Sequence, residues 1–293
     1  MQYYIGCSGW SYSAWQGPFY PINIENNEWL NYYSRIFDYV EIDSSFYAMP
    51  NMFMVKSWSK RTPENFRFTA KFPKVITHDK RLKNVSRELE HFFKSMLPLA
   101  DKTLALLIQL PPSLKITEGI ENLRLIVPEL DNRFRYAIEV RDKSWFQDLA
   151  YNFFANNNIC MVWSQLAELA TPPIVTTDFL YMRFIGDRSI SERDFGKIQK
   201  DRVSEMKNWA DKLQEVIEEE KEDLNLAIVS ANNHYAGFGP MTANIFRKMV
   251  GLQEVQWKDN NNNKKEKIVA QSDDVHDSVN LSVTQRRISD FMK

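Results

Sequence analysis

Short apolar runs recur along the chain, and stretches with helical spacing separate most of them. Residues 3–7 read as a strand, after which Trp29, Leu30, Tyr33, Ile36 and Phe37 recur at the three- and four-residue steps of an amphipathic helix. The alternation continues, with strands predicted at 39–42, 66–71, 104–109, 135–140, 159–163, 179–184 and 224–230. Helices are predicted between them at 52–60, around Val85 to Met96, around Ile120 to Val127, at 148–156, around Val203 to Ile217 and at 241–250. Pro172 and Pro173 leave little room for a helix after the sixth strand. Eight strands in βα order predict an α/β fold, a TIM-type (β/α)8 barrel with a short or missing sixth helix. A doubly wound open sheet is the alternative.

The pattern stops after Leu252. A run of four asparagines, 260–263, precedes Lys264, Lys265, Glu266 and Lys267. The expectation is a barrel domain over 1–252 and a polar, flexible extension over 253–293, with a short terminal helix at 283–292. The 293 residues suit one large barrel. A formal net charge of -1 excludes wholesale electrostatic attraction to nucleic acid, so any anion site must be a local cluster. The two cysteines, Cys7 and Cys160, sit in apolar strand runs and are expected to be buried, reduced thiols. With no signal-like start and no membrane-length apolar run, the expectation is a cytoplasmic protein with no membrane partner and an undefined oligomeric state.

Candidate chemistry lies where barrel strands end and βα loops begin. Alternate strand residues share a face. Val40, Ile42, Phe68, Ala70, Ile138, Val140, Met182 and Phe184 are the apolar set and should face the helices. That turns Glu41 and Asp43, Thr69 and Lys71, Glu139 and Arg141, and Tyr181 and Arg183 toward the barrel axis. Charge in a barrel interior is costly unless it is paired or used. These groups are either structural ion pairs, such as Glu41 with Lys71 or Glu139 with Arg141, or a site. The eighth strand runs into Asn232-Asn233-His234, where amides and an imidazole before a helix can hold an anion or a carbonyl oxygen. His234 and His78 are the histidines placed for acid–base work. Trp10, Tyr12, Phe46, Tyr47 and Trp145 follow strands and can stack on a ligand or pack as a lid.

The chain has no Walker loop, HExxH, GxSxG or CxxC. A divalent cation held by Glu41, Asp43, Glu139 and His234 is the one metal arrangement these residues offer.

The run Ile5-Gly6-Cys7-Ser8-Gly9-Trp10-Ser11-Tyr12, with Trp15, Gly17, Phe19, Tyr20 and Pro21, resembles the YecE-like family, domain of unknown function seventy-two. So do Val40 to Tyr47, Lys71 with Thr77-His78, Gln109 to Pro112, Glu139-Val140-Arg141 with Ser144-Trp145, Tyr181 with Arg183 and Gly186, and Asn232-Asn233-His234. The resemblance spans roughly residues 3 to 251 and implies a TIM barrel. It also implies a fold-level likeness to metal-dependent phosphoesterases that act on DNA. The chain departs from both patterns. It lacks the many histidine ligands of such enzymes, and it has Trp163-Ser164-Gln165 where relatives often carry an acidic residue.

Two functions follow as expectations. One is an enzyme for a small anionic, phosphate-bearing substrate. Lys71, His78, Arg141, Arg183, Asn232 and Asn233 would bind it with Trp10, Tyr12, Tyr47 and Trp145, while His234 with Glu41, Asp43 or Glu139 moves protons. The other is a non-catalytic module for nucleic acid or a small ligand built from the same groups.

Overall fold

The structure, a computed structural model, describes residues 1–219 and 224–257. Among them nine parallel strands form one sheet. They are β1 (Gln2–Ser8), β2 (Tyr39–Ile42), β3 (Arg67–Lys71), β4 (Thr103–Gln109), β5 (Tyr136–Glu139), β6 (Ile159–Met161), β7 (Trp163–Leu166), β8 (Phe179–Gly186) and β9 (Leu226–Ala231). The order is β6-β5-β4-β3-β2-β1-β9-β8-β7, so the first and last strands of the list are consecutive in sequence. Only Val162 separates them, and its N–H still donates to Ile138 of β5 at 2.9 Å. β6 and β7 are thus two halves of the predicted sixth strand, one half pairing with β5 and the other with β8. The ring is an α/β barrel of TIM type.

Helices follow most strands, including Met52–Lys60, Ser86–Met96, Ile116–Ile126, Asp148–Asn156, Val203–Glu219 and Gly239–Met249. Asn51 caps the first of these by accepting from the Met54 N–H at 2.9 Å. Among the described residues no helix lies between β7 and β8. The segment containing Pro172 and Pro173 runs back along the strand instead. There the Thr176 hydroxyl accepts from Met161 N–H at 2.9 Å and Thr171 from Ser164 N–H at 2.8 Å. Side-chain oxygens replace a covering element that the prolines forbid.

Two apolar cores flank the sheet. The outer one joins strand residues such as Val40, Ile42, Phe68, Ala70, Ile138, Met182 and Phe184 to the helices. The inner one fills the barrel with Tyr4, Tyr39, Ala105, Leu107, Ala137, Cys160, Val162, Phe179, Tyr181, Leu226 and Ile228. The strand parity expected from alternation is observed. Both thiols are free and buried, Cys7 in the outer core and Cys160 in the inner.

Beyond the last helix, residues 253–257 lie on the barrel. Val255 pairs with the Asn244 side chain through hydrogen bonds of 2.8 and 3.1 Å. Trp257 donates to the Pro18 carbonyl at 2.9 Å and packs on Phe19 and Phe238. The rest of the extension, including the helix expected at 283–292, lies outside the described residues. No helix among them is long and apolar enough to cross a membrane.

Candidate functional site

The inner core is stratified. Its lower layers are apolar, and hydroxyls and charges replace them toward the carboxyl ends of the strands. Tyr39, Thr69 and Tyr181 join their hydroxyls across the axis at 2.6 to 3.1 Å. The Tyr181 hydroxyl then donates to Glu41 at 2.5 Å. Above this layer lies an ion-pair network centred on Arg183, whose side chain is 2% exposed. Arg183 Nε and Nη2 donate to the two oxygens of Glu41, each at 2.7 Å, in a forked pair. Its Nη1 donates to Glu139. Ser8 completes Glu41 with a hydrogen bond of 2.6 Å. Arg141 holds the other oxygen of Glu139, with Nε at 2.6 Å.

Strand register assembles this cluster. Ser8 stands opposite Glu41, Glu41 opposite Thr69, and Arg183 opposite both Ser164 and Ser230. Burial opposes the charge of Glu41, but Arg183 and Lys71 overcome it and lower its pKa to about 2. Burial likewise opposes the Glu139 charge, and Arg141 and Arg183 prevail, so its pKa is also lowered. Both carboxylates are therefore ionised anchors for arginine.

Four ionisable groups stand between this floor and solvent. Lys71 ends β3 with its side chain 12% exposed and its Nζ 3.8 Å from Glu41. Burial and the neighbouring Arg183 lower its pKa to about 8 against the pull of Glu41, Asp43 and Glu139. Asp43 follows β2, and burial raises its pKa despite Lys71. Its carboxylate lies 3.4 Å from the Tyr12 hydroxyl. Gly9 makes room for both with φ +81°; a Cβ there would come within 2.7 Å of the Tyr12 hydroxyl and 3.1 Å of Asp43. Arg141 is 18% exposed on the Glu139 side. His78 is carried over the rim by a wide π-type turn, Val75–Asp79, and its Nδ1 lies 2.9 Å from the Thr77 hydroxyl. Burial, then Arg141 and Lys74, lower its pKa, and Lys71 adds to the effect. Phe46 links these groups. Its ring meets His78 edge-on at 4.9 Å, and the Lys71 ammonium stands 5.9 Å from its centre.

Several sequence expectations need correction. Arg183, expected to grip an anion, is buried against two carboxylates and has no exposed face for one. Glu41 and Glu139 flank that arginine, so they do not converge on a cation with Asp43 and His234. Among the described residues no three His, Cys, Asp or Glu side chains gather to hold a metal ion. His234 is not paired with the carboxylates. It packs edge-on against Phe195 at 5.0 Å, and its charged surroundings are Arg188, Glu192 and Asp187 of the loop after β8. Asn233 is buried, its side-chain oxygen accepting from Gly239 N–H at 2.8 Å and from Trp15 Nε1 at 3.1 Å. It binds structure rather than ligand. Asn232 caps the short turn beside it through the His234 N–H. Trp145 is fully buried, donates to the Leu114 carbonyl at 2.8 Å and presses against Gly119, so it stacks on no ligand. Trp10 meets Trp58 edge-on at 5.6 Å, and the Tyr12 ring lies between Trp15 and Phe195. Tyr47 is 72% exposed on the outer rim.

The sequence reading passed over Ser8, which joins Arg183 and Tyr181 in fixing Glu41. Its signal was available, since parity places Ser8 on the inner face of β1. Among the described residues, surface clefts lie away from this cluster. One, of about 170 Å³, is lined by Arg35 to Asp38, Phe66 and Arg247, before β2 and β3 begin. Another follows the helix Ser86–Met96 outside the barrel.

Fold and site together define a TIM-type barrel whose carboxyl-terminal mouth is floored by a buried Glu–Arg–Glu network. The chain belongs to the DUF72 family, as a model described as "Protein of unknown function DUF72" matches residues 4–267. It is 32% identical over 143 residues to UPF0759 protein YecE of Escherichia coli K12, covering 49% of this chain and 50% of that protein. It is 31% identical over 155 residues to UPF0759 protein YunF of Bacillus subtilis, covering 50% and 54%. The match thus spans about half the length of these curated relatives. A DUF72 family crystal structure from Thermotoga maritima superposes with a TM-score of 0.71 at 27% identity, covering 85% of this chain and 99% of that one. One from Enterococcus faecalis, at 21% identity, a TM-score of 0.70 and coverage of 88% and 98%, shares the fold.

Proposed function

We propose that the barrel mouth binds a small anionic, phosphate-bearing substrate and that the protein is an enzyme acting on it. The supporting observation is the charge arrangement. Three cations, Lys71, Arg141 and Arg183, stand against the ionised carboxylates Glu41 and Glu139, with Asp43 beside Lys71. The two partly exposed cations, Lys71 and Arg141, face the mouth, because Arg183 is sealed below them. Low-dielectric walls strengthen their attraction for an entering anion. His78 and Asp43 stand at the rim with pKa values moved in opposite directions, the first lowered and the second raised. They are the acid–base pair in this reading, in place of His234.

Inorganic phosphate should stabilise the wild-type protein by mass action, by about 2.7 kcal/mol at a hundred times its Kd, and so raise its melting temperature. Arg141→Ala and Lys71→Met should each remove most of that shift. A phosphoester screen with wild type and Arg141→Ala separates turnover from binding. A short oligonucleotide that binds with a steep salt dependence would favour a nucleic-acid module instead. If no anion shifts the melt, the mouth charges are structural and the proposal fails.

A further inference from the structure

Among the described residues two lysines, Lys71 and Lys102, are drawn in from solvent, and their surroundings differ. Lys102 donates to three carbonyls, those of Ser59, Thr62 and Pro63, at 3.0, 3.0 and 2.9 Å. That is a complete acceptor set for an ammonium. Lys71 has no such set. Its Nζ donates no hydrogen bond among the described residues, and its nearest anion, Glu41 at 3.8 Å, already takes bonds from Ser8, Tyr181 and Arg183. Its side chain, 12% exposed, ends beside the Phe46 ring at the carboxyl end of β3. Asp43 stands beside it, because Ile42 of β2 is in register with Ala70 of β3, one residue before each.

We propose that Lys71 is a covalent lysine, its amine adding to the carbonyl carbon of a small anionic oxo compound to form an imine, with Asp43 as the proton carrier. The Nζ lone pair forms the C–N bond while the carbonyl π pair moves to oxygen. The nitrogen, now carrying the positive charge, gives a proton to the Asp43 carboxylate, which passes it to the oxygen. A second transfer by the same route protonates the hydroxyl, which leaves as water as C=N forms. One amine and one carbonyl thus give one imine and one water, with no oxidant or reductant. Arg141, on the same rim, would hold the anionic group, and this part rests on the anion-binding reading above.

The charged and titratable groups facing Lys71 are Arg183, Glu41, Asp43 and Glu139 and, on the turn after β3, His78. Burial and Arg183 hold its pKa at about 8. At neutral pH the free-amine fraction is then roughly 300-fold that of an ordinary exposed lysine. Glu41 and Glu139 are ionised well below neutral pH and the His78 pKa is lowered from its ordinary value, so Lys71 governs the pH dependence between about 7 and 9.

The test uses the full chain, glyoxylate and cyanoborohydride, which reduces the imine to a stable carboxymethyl-lysine located by peptide mass mapping. Lys71 should label at least 10-fold faster than any other lysine at pH 7. The rate should rise to a plateau with a midpoint near pH 8, and Lys71→Arg should abolish the fast phase. Lys102 serves as the internal control and should stay unlabelled. Equal labelling of Lys71 and surface lysines, or none at Lys71, overturns the proposal. Phosphate competition and phosphate-induced stabilisation are measured on the same samples. If phosphate stabilises the protein but Lys71 shows no preference, the covalent role fails and the anion site stands. If Lys71 labels selectively and phosphate neither competes nor stabilises, the amine chemistry stands and the anion site fails.

Discussion

Replacing Glu41 with Gln keeps the shape of the side chain and removes one of the two charges that compensate Arg183. Glu41 accepts four hydrogen bonds, two from Arg183 and one each from Ser8 and Tyr181. A glutamine offers one carbonyl oxygen, and its NH2 meets donors where an acceptor stood. Breaking a buried ion pair from one side costs about 3–5 kcal/mol. Glu139 still contacts Arg183, so the lower end, about 3 kcal/mol, is expected. For a domain of this size that is a fall of roughly 6–12 °C in melting temperature. The pH dependence supplies an independent check. The folded-state pKa of Glu41 is depressed from 4.5 to about 2. Its contribution is therefore present in full above pH 4.5 and is lost as pH falls toward 2. A shift of that size again corresponds to about 3 kcal/mol. Urea unfolding followed by far-UV circular dichroism, at pH 7 and at pH 3, measures both. The gap between wild type and Glu41→Gln should be wide at pH 7 and should narrow in acid. Arg124→Ala, which breaks the exposed pair with Glu121 on the helix Ile116–Ile126, should cost under about 1 kcal/mol at either pH. If Glu41→Gln behaves like Arg124→Ala at pH 7, or if the gap does not narrow in acid, Glu41 does not carry the compensating charge the geometry assigns to it.

Asn233→Ala should destabilise the barrel by about 1–2 kcal/mol through loss of the Gly239 cap and the Trp15 bond, yet leave phosphate binding unchanged; calorimetry with and without phosphate reads both. Cys7 and Cys160 should react with a thiol reagent only on unfolding, since both are buried and burial raises both pKa values, that of Cys160 to about 12; rapid native labelling would contradict this. Truncation after Gly251 should lower the melting temperature relative to truncation after Trp257, because residues 253–257 supply the Asn244 pairing and the Trp257 contacts; equal melting temperatures would show that segment to be idle.

What the sequence determined by itself was the barrel and the direction of its side chains. Period-two alternation is a local property of each strand, so it showed that Glu41, Thr69, Glu139, Tyr181 and Arg183 face inward before any strand was paired. The double proline likewise announced the missing sixth helix, because proline's lost N–H and fixed φ act on its own neighbourhood. The pairs Glu41 with Lys71 and Glu139 with Arg141 were legible in the sequence and both form, but the arginine that joins the two carboxylates was decided only by tertiary structure. Register and strand order brought Arg183 between Glu41 and Glu139, 142 and 44 residues away, and left Lys71 and Arg141 above them. Burial was equally invisible in one dimension. Trp145 and Asn233 follow strands as ligand-binding residues do, yet Gly119 admits the first into the core and the helix at Gly239 claims the second. A residue's chemistry and its strand face are encoded locally, whereas its partners and its exposure depend on chain segments far away in sequence. At this barrel mouth those partners separate the buried ion-pair anchors from the partly exposed Lys71 and Arg141.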